Sequence, residues 1–156
     1  MAWIDKNDMF SDNVAVTSTA ISDVKQVAAK NLGLSLQTNP TVDLSAVDDL
    51  WCVIRCDTSA TAAGAATVTF SLESDSTADL ATSATVHWTS GAIGKATLVA
   101  GYTVAAFKLP AGSYEAYLGI RYTVATGPLT AGKFTAYLTN AHDIQKAYAS
   151  GSTIGT

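Results

Sequence analysis

The acidic residues of the chain are the first candidates for chemistry. Glu73, Asp75 and Asp79 lie close together in sequence. Their carboxylates could gather a cation, because Ca²⁺ and Mg²⁺ prefer oxygen ligands, although such a group is more often a solvated loop. Glu115 would suit glycoside hydrolysis if a second carboxylate faced it across a cleft, but no sequence pattern identifies that second residue. The carboxylates leave a hydrolase open as an interpretation and do not favour it.

The thiols and imidazoles give little support to catalysis. In a strand, Cys52 and Cys56 would lie on one face about 13 Å apart, which is too far for a disulfide, so we expect buried free thiols. A metal site would need further ligands, and His87 and His142 are distant in sequence. A Ser-His-Asp triad needs no sequence proximity and stays open, but the motifs of phosphate loops, zinc proteases, calcium loops and nucleophile elbows are absent. We expect no metal, no cofactor and no enzymatic activity.

Composition and charge argue against nucleic acid and membranes as partners. Hydrophobic residues make up 48% of the 156 residues and charged residues only 14%, with a net charge of -4. The basic residues are scattered singly, whereas a phosphate-binding surface needs them clustered. No apolar run reaches the roughly 18 residues of a membrane helix, and the start "MAWIDKNDMF" lacks the pattern of a signal peptide. We expect synthesis in the cytoplasm and a broad neutral surface that suits contact with another protein.

Alternating apolar and polar residues predict a series of short strands. The predicted strands are 14–21, 47–56, 66–74, a strand near 86–89, two strands within 95–114, and a hairpin over 117–138. Residues 22–33 are ambiguous, and strand with loop is favoured over a short helix. About eight strands without a long helix predict an all-β, single-domain antiparallel jelly roll or β-sandwich, with an immunoglobulin-like sandwich as the alternative.

Two stretches near the ends of the chain resemble a known family. "DKNDMFSDNVAVTSTAISD" (5–23) resembles the amino-terminal signature of capsid cement proteins of tailed bacteriophages, Bordetella-type podophages among them. "YLGIRYTVATGPLTAGKFTAYL" (117–138), with the following "NAHDIQKAY", is similar to the carboxy-terminal signature of that family. The two stretches cover about a quarter of the chain. Residues 34–112 agree only in strand count and composition, and "VKQVAAKNLG" (24–33) departs from the family pattern.

The resemblance implies a structural role on the outer surface of a virion. A cement (decoration) protein binds the outside of the assembled capsid, bridges neighbouring major capsid protein subunits and stabilises the shell. The resemblance also implies a homo-oligomer, with a dimer favoured and a trimer possible. One alternative is a carbohydrate-binding β-sandwich that uses exposed aromatic rings such as Trp88. A hydrolase is the weakest alternative, because it depends on isolated carboxylates.

The predicted domain organisation is an N-terminal arm, 1–13, followed by a jelly-roll domain, 14–156. Apolar residues of the arm, and the loop at the tip of the predicted hairpin, are the candidate contacts with the capsid or with another copy of the chain. These candidates are Trp3, Ile4, Met9, Phe10, Thr126, Pro128 and Leu129. For Trp3, packing on its own domain is an equally good interpretation.

Overall fold

The structure, a computed structural model, describes residues 6–27, 43–46 and 50–140 of the chain. Besides 3₁₀ turns at Lys6–Asp8 and Leu44–Ala46, the regular structure of this part is all strand. The strands are β1 (Met9–Ala15), β2 (Ala20–Ile21), β3 (Lys25–Gln26), β4 (Leu50–Thr61), β5 (Thr67–Asp75), β6 (Thr85–Gly94), β7 (Thr103–Lys108), β8 (Tyr117–Ala125) and β9 (Ala131–Asn140). No helix within these ranges is long and apolar enough to cross a membrane.

The strands form two antiparallel sheets. Sheet A has the order β1-β9-β4-β7, and sheet B has the order β2-β8-β5-β6, with β3 also paired to β8. Counted as one interrupted strand, β2 and β3 reduce the total to eight strands. When these eight strands are renumbered 1 to 8 in chain order, sheet A has the order 1-8-3-6 and sheet B has the order 2-7-4-5. These are the strand orders of a jelly roll. The predicted all-β antiparallel sandwich is confirmed.

The core lies between the inner faces of the two sheets. In β5, Val68, Phe70 and Leu72 are fully buried, as their period-two spacing predicts. Phe70 meets Tyr122 of the same sheet and Phe134 of the other sheet edge-on, with ring centroids 5.6 and 5.1 Å apart. Edge-to-face contacts at this distance are favourable beyond the area that they bury. This aromatic cluster therefore joins the two sheets at the centre of the sandwich.

The predicted hairpin over 117–138 is wrong, although its two strands exist. β8 pairs with β5 in sheet B, whereas β9 pairs with β4 and β1 in sheet A. The chain between them crosses from one sheet to the other instead of turning back along its neighbour. In β8, the alternating residues Leu118, Ile120 and Tyr122 are buried and face the core. The alternation of apolar and polar residues specifies which face of a strand is buried. It does not specify whether the next strand in the chain pairs with that strand in the same sheet or packs against it from the opposite sheet.

The N-terminal arm does not extend to residue 13. β1 begins at Met9 and pairs with β9, and Phe10 is fully buried in the core. The predicted strand over 14–21 is also wrong, because β1 ends at Ala15 and β2 begins only at Ala20. The physical reason is the large apolar ring of Phe10, which gains more from burial between the sheets than from solvent.

Three smaller differences concern strand lengths. The segment 95–114 holds one strand, β7, instead of two. β6 is longer than predicted and continues through Gly91, whose φ of 69° lies at a bulge where the register with β5 shifts. In the ambiguous segment 22–33, the structure places β3, and residues from 28 onward lie outside the described part.

Candidate interaction surface

The acidic group around Glu73 is a structural network. Glu73 is only 5% exposed on the outer face of sheet B and forms an ion pair of 2.8 Å with Arg121 Nε. Ser71 Oγ donates to its other carboxylate oxygen (2.6 Å), and Arg121 Nη2 donates to the Leu80 carbonyl. The Arg121 guanidinium and the Ser71 hydroxyl, and not a metal ion, satisfy this carboxylate. Within the described ranges, no group of three His, Cys, Asp or Glu residues is arranged to hold a metal ion.

Leu80 covers this network from the β5–β6 connection. Its side chain is 1% exposed, and its backbone has a positive φ of 48°. It lies directly on Gly119 of β8, where an added Cβ would come within 2.8 Å of Leu80 Cδ1 and 3.2 Å of Val24 Cγ2. An alanine at this position would force the Leu80 side chain to move, so glycine suits this close approach. Leu80 therefore packs on β8 beside the Glu73–Arg121 pair, in which Glu73 is buried and the Arg121 side chain stays 25% exposed.

The two cysteines are free and buried, as predicted from their spacing. Burial raises the pKa of Cys52 to about 12, and burial is also the main cause that raises the pKa of Cys56. A thiol is nucleophilic as the thiolate, and both shifts disfavour that form. Their surroundings therefore favour a packing role over a reactive one.

The structure brings Ser74 and His87 together, a contact that the sequence did not predict. Ser74 Oγ lies 2.8 Å from His87 Nε2 and accepts a hydrogen bond from the Glu115 backbone N–H (3.1 Å). Its own proton can then be donated to a neutral Nε2. The ring of His87 stacks on Tyr114 with centroids 3.9 Å apart. Ser74 is fully buried, so a substrate has no path to its hydroxyl, and the pair ties β5, β6 and the segment before β8 together.

His87 is expected to make stability depend on pH. Burial lowers its pKa below the ordinary 6.5, against a smaller opposing effect of Glu115. His87 in the unfolded chain then binds a proton more readily than His87 in the folded protein. The contribution of neutral His87 to the free energy of unfolding is therefore complete above pH 6.5 and is lost as the pH falls below that value. Urea unfolding of the wild type at pH 7.5 and at pH 5.5 should show a lower free energy at the acidic pH. His87→Gln should reduce that difference, and an unchanged difference would contradict the assignment.

The indole ring of Trp88 is engaged within the fold. It stacks on Phe107 of the opposite sheet, with centroids 4.3 Å apart and planes 20° apart. One ring face is therefore covered by its own domain, which weakens its interpretation as a sugar-stacking platform. Trp3 lies outside the described residues.

Three loops meet at one end of the sandwich, which we call the loop end and define as residues 17–19, 62–65 and 126–130. Backbone hydrogen bonds join the loop 126–130 to the loop 17–19 and to the end of β4, directly before the loop 62–65. Leu129 N donates to Thr17 O (2.9 Å), and Thr130 N donates to Thr61 O (2.7 Å). The hydroxyls of Thr61 and Thr130 also lie 2.8 Å apart. The loop end is therefore fixed in shape before any partner arrives.

The crossing loop between β8 and β9 shapes the centre of this surface. Thr126 and Gly127 have positive φ values of 63° and 102°, which glycine tolerates and threonine adopts only when its surroundings impose it. Leu129 is turned inward and is 2% exposed. Thr126 and Pro128 remain exposed. The loop end contains no charged residue, although the Lys95 ammonium donates to the Ala62 carbonyl from beside it.

The seven predicted contact residues thus separate into three groups. Phe10 and Leu129 are core residues, so their prediction as surface contacts is wrong, because each apolar side chain finds its place between the sheets. Met9 is half-buried in β1, and Trp3 and Ile4 lie outside the described part. Thr126 and Pro128 are exposed at the loop end. The residues that the sequence missed there are Thr17, Ser18, Thr19 and the loop 62–65, for which small uncharged side chains are the only sequence signal.

The comparison with known proteins identifies a family. A search of curated proteins returns no match. The protein-family model Bbp16 matches residues 10–138. This range begins within β1 and ends within β9, so it includes the strands β2 to β8 in full. The chain therefore belongs to the Bbp16 family, a family of bacteriophage proteins.

Proposed function

We propose that this chain is a capsid cement protein, a structural protein of the virion that binds the outer surface of the assembled phage capsid. In this role it bridges neighbouring major capsid protein subunits and catalyses no reaction. Membership in the Bbp16 family of phage proteins is the observation that carries the proposal. The jelly roll supports it, because this architecture is common among viral capsid proteins, and the two terminal sequence signatures resemble those of cement proteins.

The loop end is the surface that we assign to the capsid. Its loops are joined by short hydrogen bonds, and the bend at Thr126 and Gly127 is already formed. A surface that is rigid before binding loses little conformational entropy when it docks. Pro128 adds to this rigidity, since its ring fixes φ in the free protein as well. A neutral surface also approaches a capsid of either sign without a like-charge penalty.

Stabilisation of the shell follows from selective binding. A protein that binds the assembled lattice and not the separate subunits stabilises the lattice by mass action. Many copies, each contacting more than one subunit, act multivalently, so that modest individual affinities add up to strong retention. The acidic net charge of -4 suits an exterior position, because it disfavours contact with the DNA inside.

A charge at the loop end is expected to weaken capsid attachment. Pro128→Asp introduces a carboxylate into the neutral surface and loosens the loop. We expect its affinity for mature capsids to fall by roughly tenfold or more, the scale of a central interface contact. Cosedimentation of purified protein with capsids, over a range of protein concentrations, measures this change.

Ser83→Asp is the matched control for that experiment. It adds the same charge at an exposed position in the β5–β6 connection, away from the loop end, and should leave attachment unchanged. Thermal unfolding of both variants confirms that they remain folded. Equal attachment of Pro128→Asp and the wild type would remove the loop end from the proposal, and a wild type that binds no capsid would overturn the proposed function.

A further inference from the structure

A cleft with charged walls lies where β1 of sheet A faces the segment that leads into β3 of sheet B. Its volume is about 210 Å³. We call it the charged cleft and define it by the residues that line it, which are Lys6, Met9, Asp12, Asp23 and Lys25. Among the described residues, none of its four charged side chains forms an ion pair. Charges of both signs therefore remain available to a ligand.

The two signs occupy different ends of the charged cleft. Lys25 Nζ donates to the Lys6 carbonyl (3.4 Å), so the two lysine residues meet at the 3₁₀ turn before β1. The Asp23 backbone N–H donates to the Phe10 carbonyl (2.9 Å), which places Asp23 beside β1. Asp12 lies two residues further along the same strand. The cleft is therefore positive at the 3₁₀ turn and negative along β1.

Both walls of the charged cleft are fixed in the free protein. The Ser22 hydroxyl donates to the Asp23 carbonyl (2.9 Å) on one wall. On the other wall, Asp12 lies in a bulge of β1, and the next residue, Asn13, has a positive φ of 50°. The Asn13 backbone N–H donates to Thr135 Oγ1 (2.9 Å), which holds this bend in place. Bulges commonly redirect a side chain towards a functional surface, and here the bulge carries one of the two carboxylates.

We infer that the charged cleft is a second contact with the capsid and binds a segment of the major capsid protein that carries both an acidic and a basic side chain. The acidic group pairs with the lysines and the basic group with the aspartates. A ligand of one sign would leave the other pair of charges without a counterpart. Asp23 and Lys25 are two residues apart, which is roughly 7 Å along an extended chain. Opposite charges on alternate residues of an extended capsid segment match this spacing.

This inference rests on the proposed function and names a surface through which bridging would occur. Lys25 pairs with Leu118 near the start of β8, whereas the loop end follows Ala125 at the end of that strand. Seven residues of β8 separate the two surfaces by roughly 20 Å, so they can contact different capsid subunits, as bridging requires. The loop end is uncharged. Charged pairs at the cleft would therefore supply the orientation that a neutral surface does not specify.

Charge reversal tests the cleft in cosedimentation with mature capsids. Asp12→Lys and Lys25→Glu each place a like charge against one group of the capsid segment, and we expect each to lower the affinity by roughly tenfold. Asp12 is exposed, so its variant should keep the fold, and thermal unfolding checks both proteins. Arg55→Glu is the matched control. It changes the charge as Lys25→Glu does, at an exposed position on the outer face of β4, and should leave attachment unchanged.

Salt gives the second measurement. Raising NaCl from about 0.05 M to about 0.5 M shortens the screening length about threefold. It should weaken attachment of the wild type and reduce the difference between the wild type and the two reversal variants. Reversal variants that bind as tightly as the wild type, or a Lys25→Glu variant that binds more tightly, overturn the inference and retain the proposed function. A wild type that binds no capsid at either salt concentration overturns both.

Discussion

Replacement of Phe70 by alanine is expected to lower the free energy of unfolding by about 3–5 kcal/mol, as for other buried aromatic residues. Phe70 is fully buried and holds Tyr122 and Phe134 edge-on from the two sheets. Its removal leaves a cavity where the sheets meet and eliminates both ring contacts. Urea unfolding monitored by fluorescence measures the change.

The series around Phe70 separates ring contacts from simple volume. Phe70→Leu keeps most of the volume and should cost markedly less than alanine. Tyr122→Phe keeps all three rings and removes only the hydroxyl that donates to Ser11 Oγ (2.7 Å), for an expected loss of about 1 kcal/mol. A Phe70→Ala variant as stable as Tyr122→Phe would contradict the assignment of the sandwich centre to this cluster.

Replacement of Arg121 by methionine is expected to cost roughly 3 kcal/mol, because Glu73 would remain as a buried carboxylate without its cation. The cost lies at the lower end for such pairs, since the Arg121 side chain is 25% exposed and water reaches it. The Leu80 carbonyl also loses its donor. Thermal and urea unfolding at pH 7 measure the loss.

The double variant Glu73→Met, Arg121→Met is the informative partner. With both charges removed, most of the loss should be recovered, because neither group is then left uncompensated in a buried position. A double variant as unstable as Arg121→Met alone would show that the packing of these two side chains, and not their charges, contributes to the free energy of unfolding.

The strands and their buried faces could be predicted from the sequence, because the period of two is a local property. Val68, Phe70 and Leu72 lie inside as their spacing requires, and so does the inward row of β8. The partner of each strand is a non-local property. The five residues between Ala125 and Ala131 are enough for a hairpin or for a crossing between sheets. In the structure they cross, and Leu129 among them is buried in the core.

Only one of the three loops of the candidate surface, the loop 126–130, could be predicted from the sequence. Thr126 and Pro128 belong to a turn pattern and are exposed in the structure. Thr17 and the loop 62–65 carry no such signal, because their place beside this turn follows from the sheet order. Phe10 was assigned to the arm for a related reason. It precedes the first regular alternation of apolar and polar residues, and its place in a strand becomes clear only when the pairing of β1 with β9 is known.

The central claim, that the protein binds and stabilises assembled phage capsids, is tested most directly by calorimetry of mature capsids from which it has been removed. The purified protein is added back in increasing amounts, and the temperature of shell disruption is recorded. The account predicts saturable binding to assembled capsids, weak binding to free major capsid protein, and a disruption temperature that rises until the sites are filled. Saturated capsids with an unchanged disruption temperature, or equally tight binding to free subunits, would contradict it.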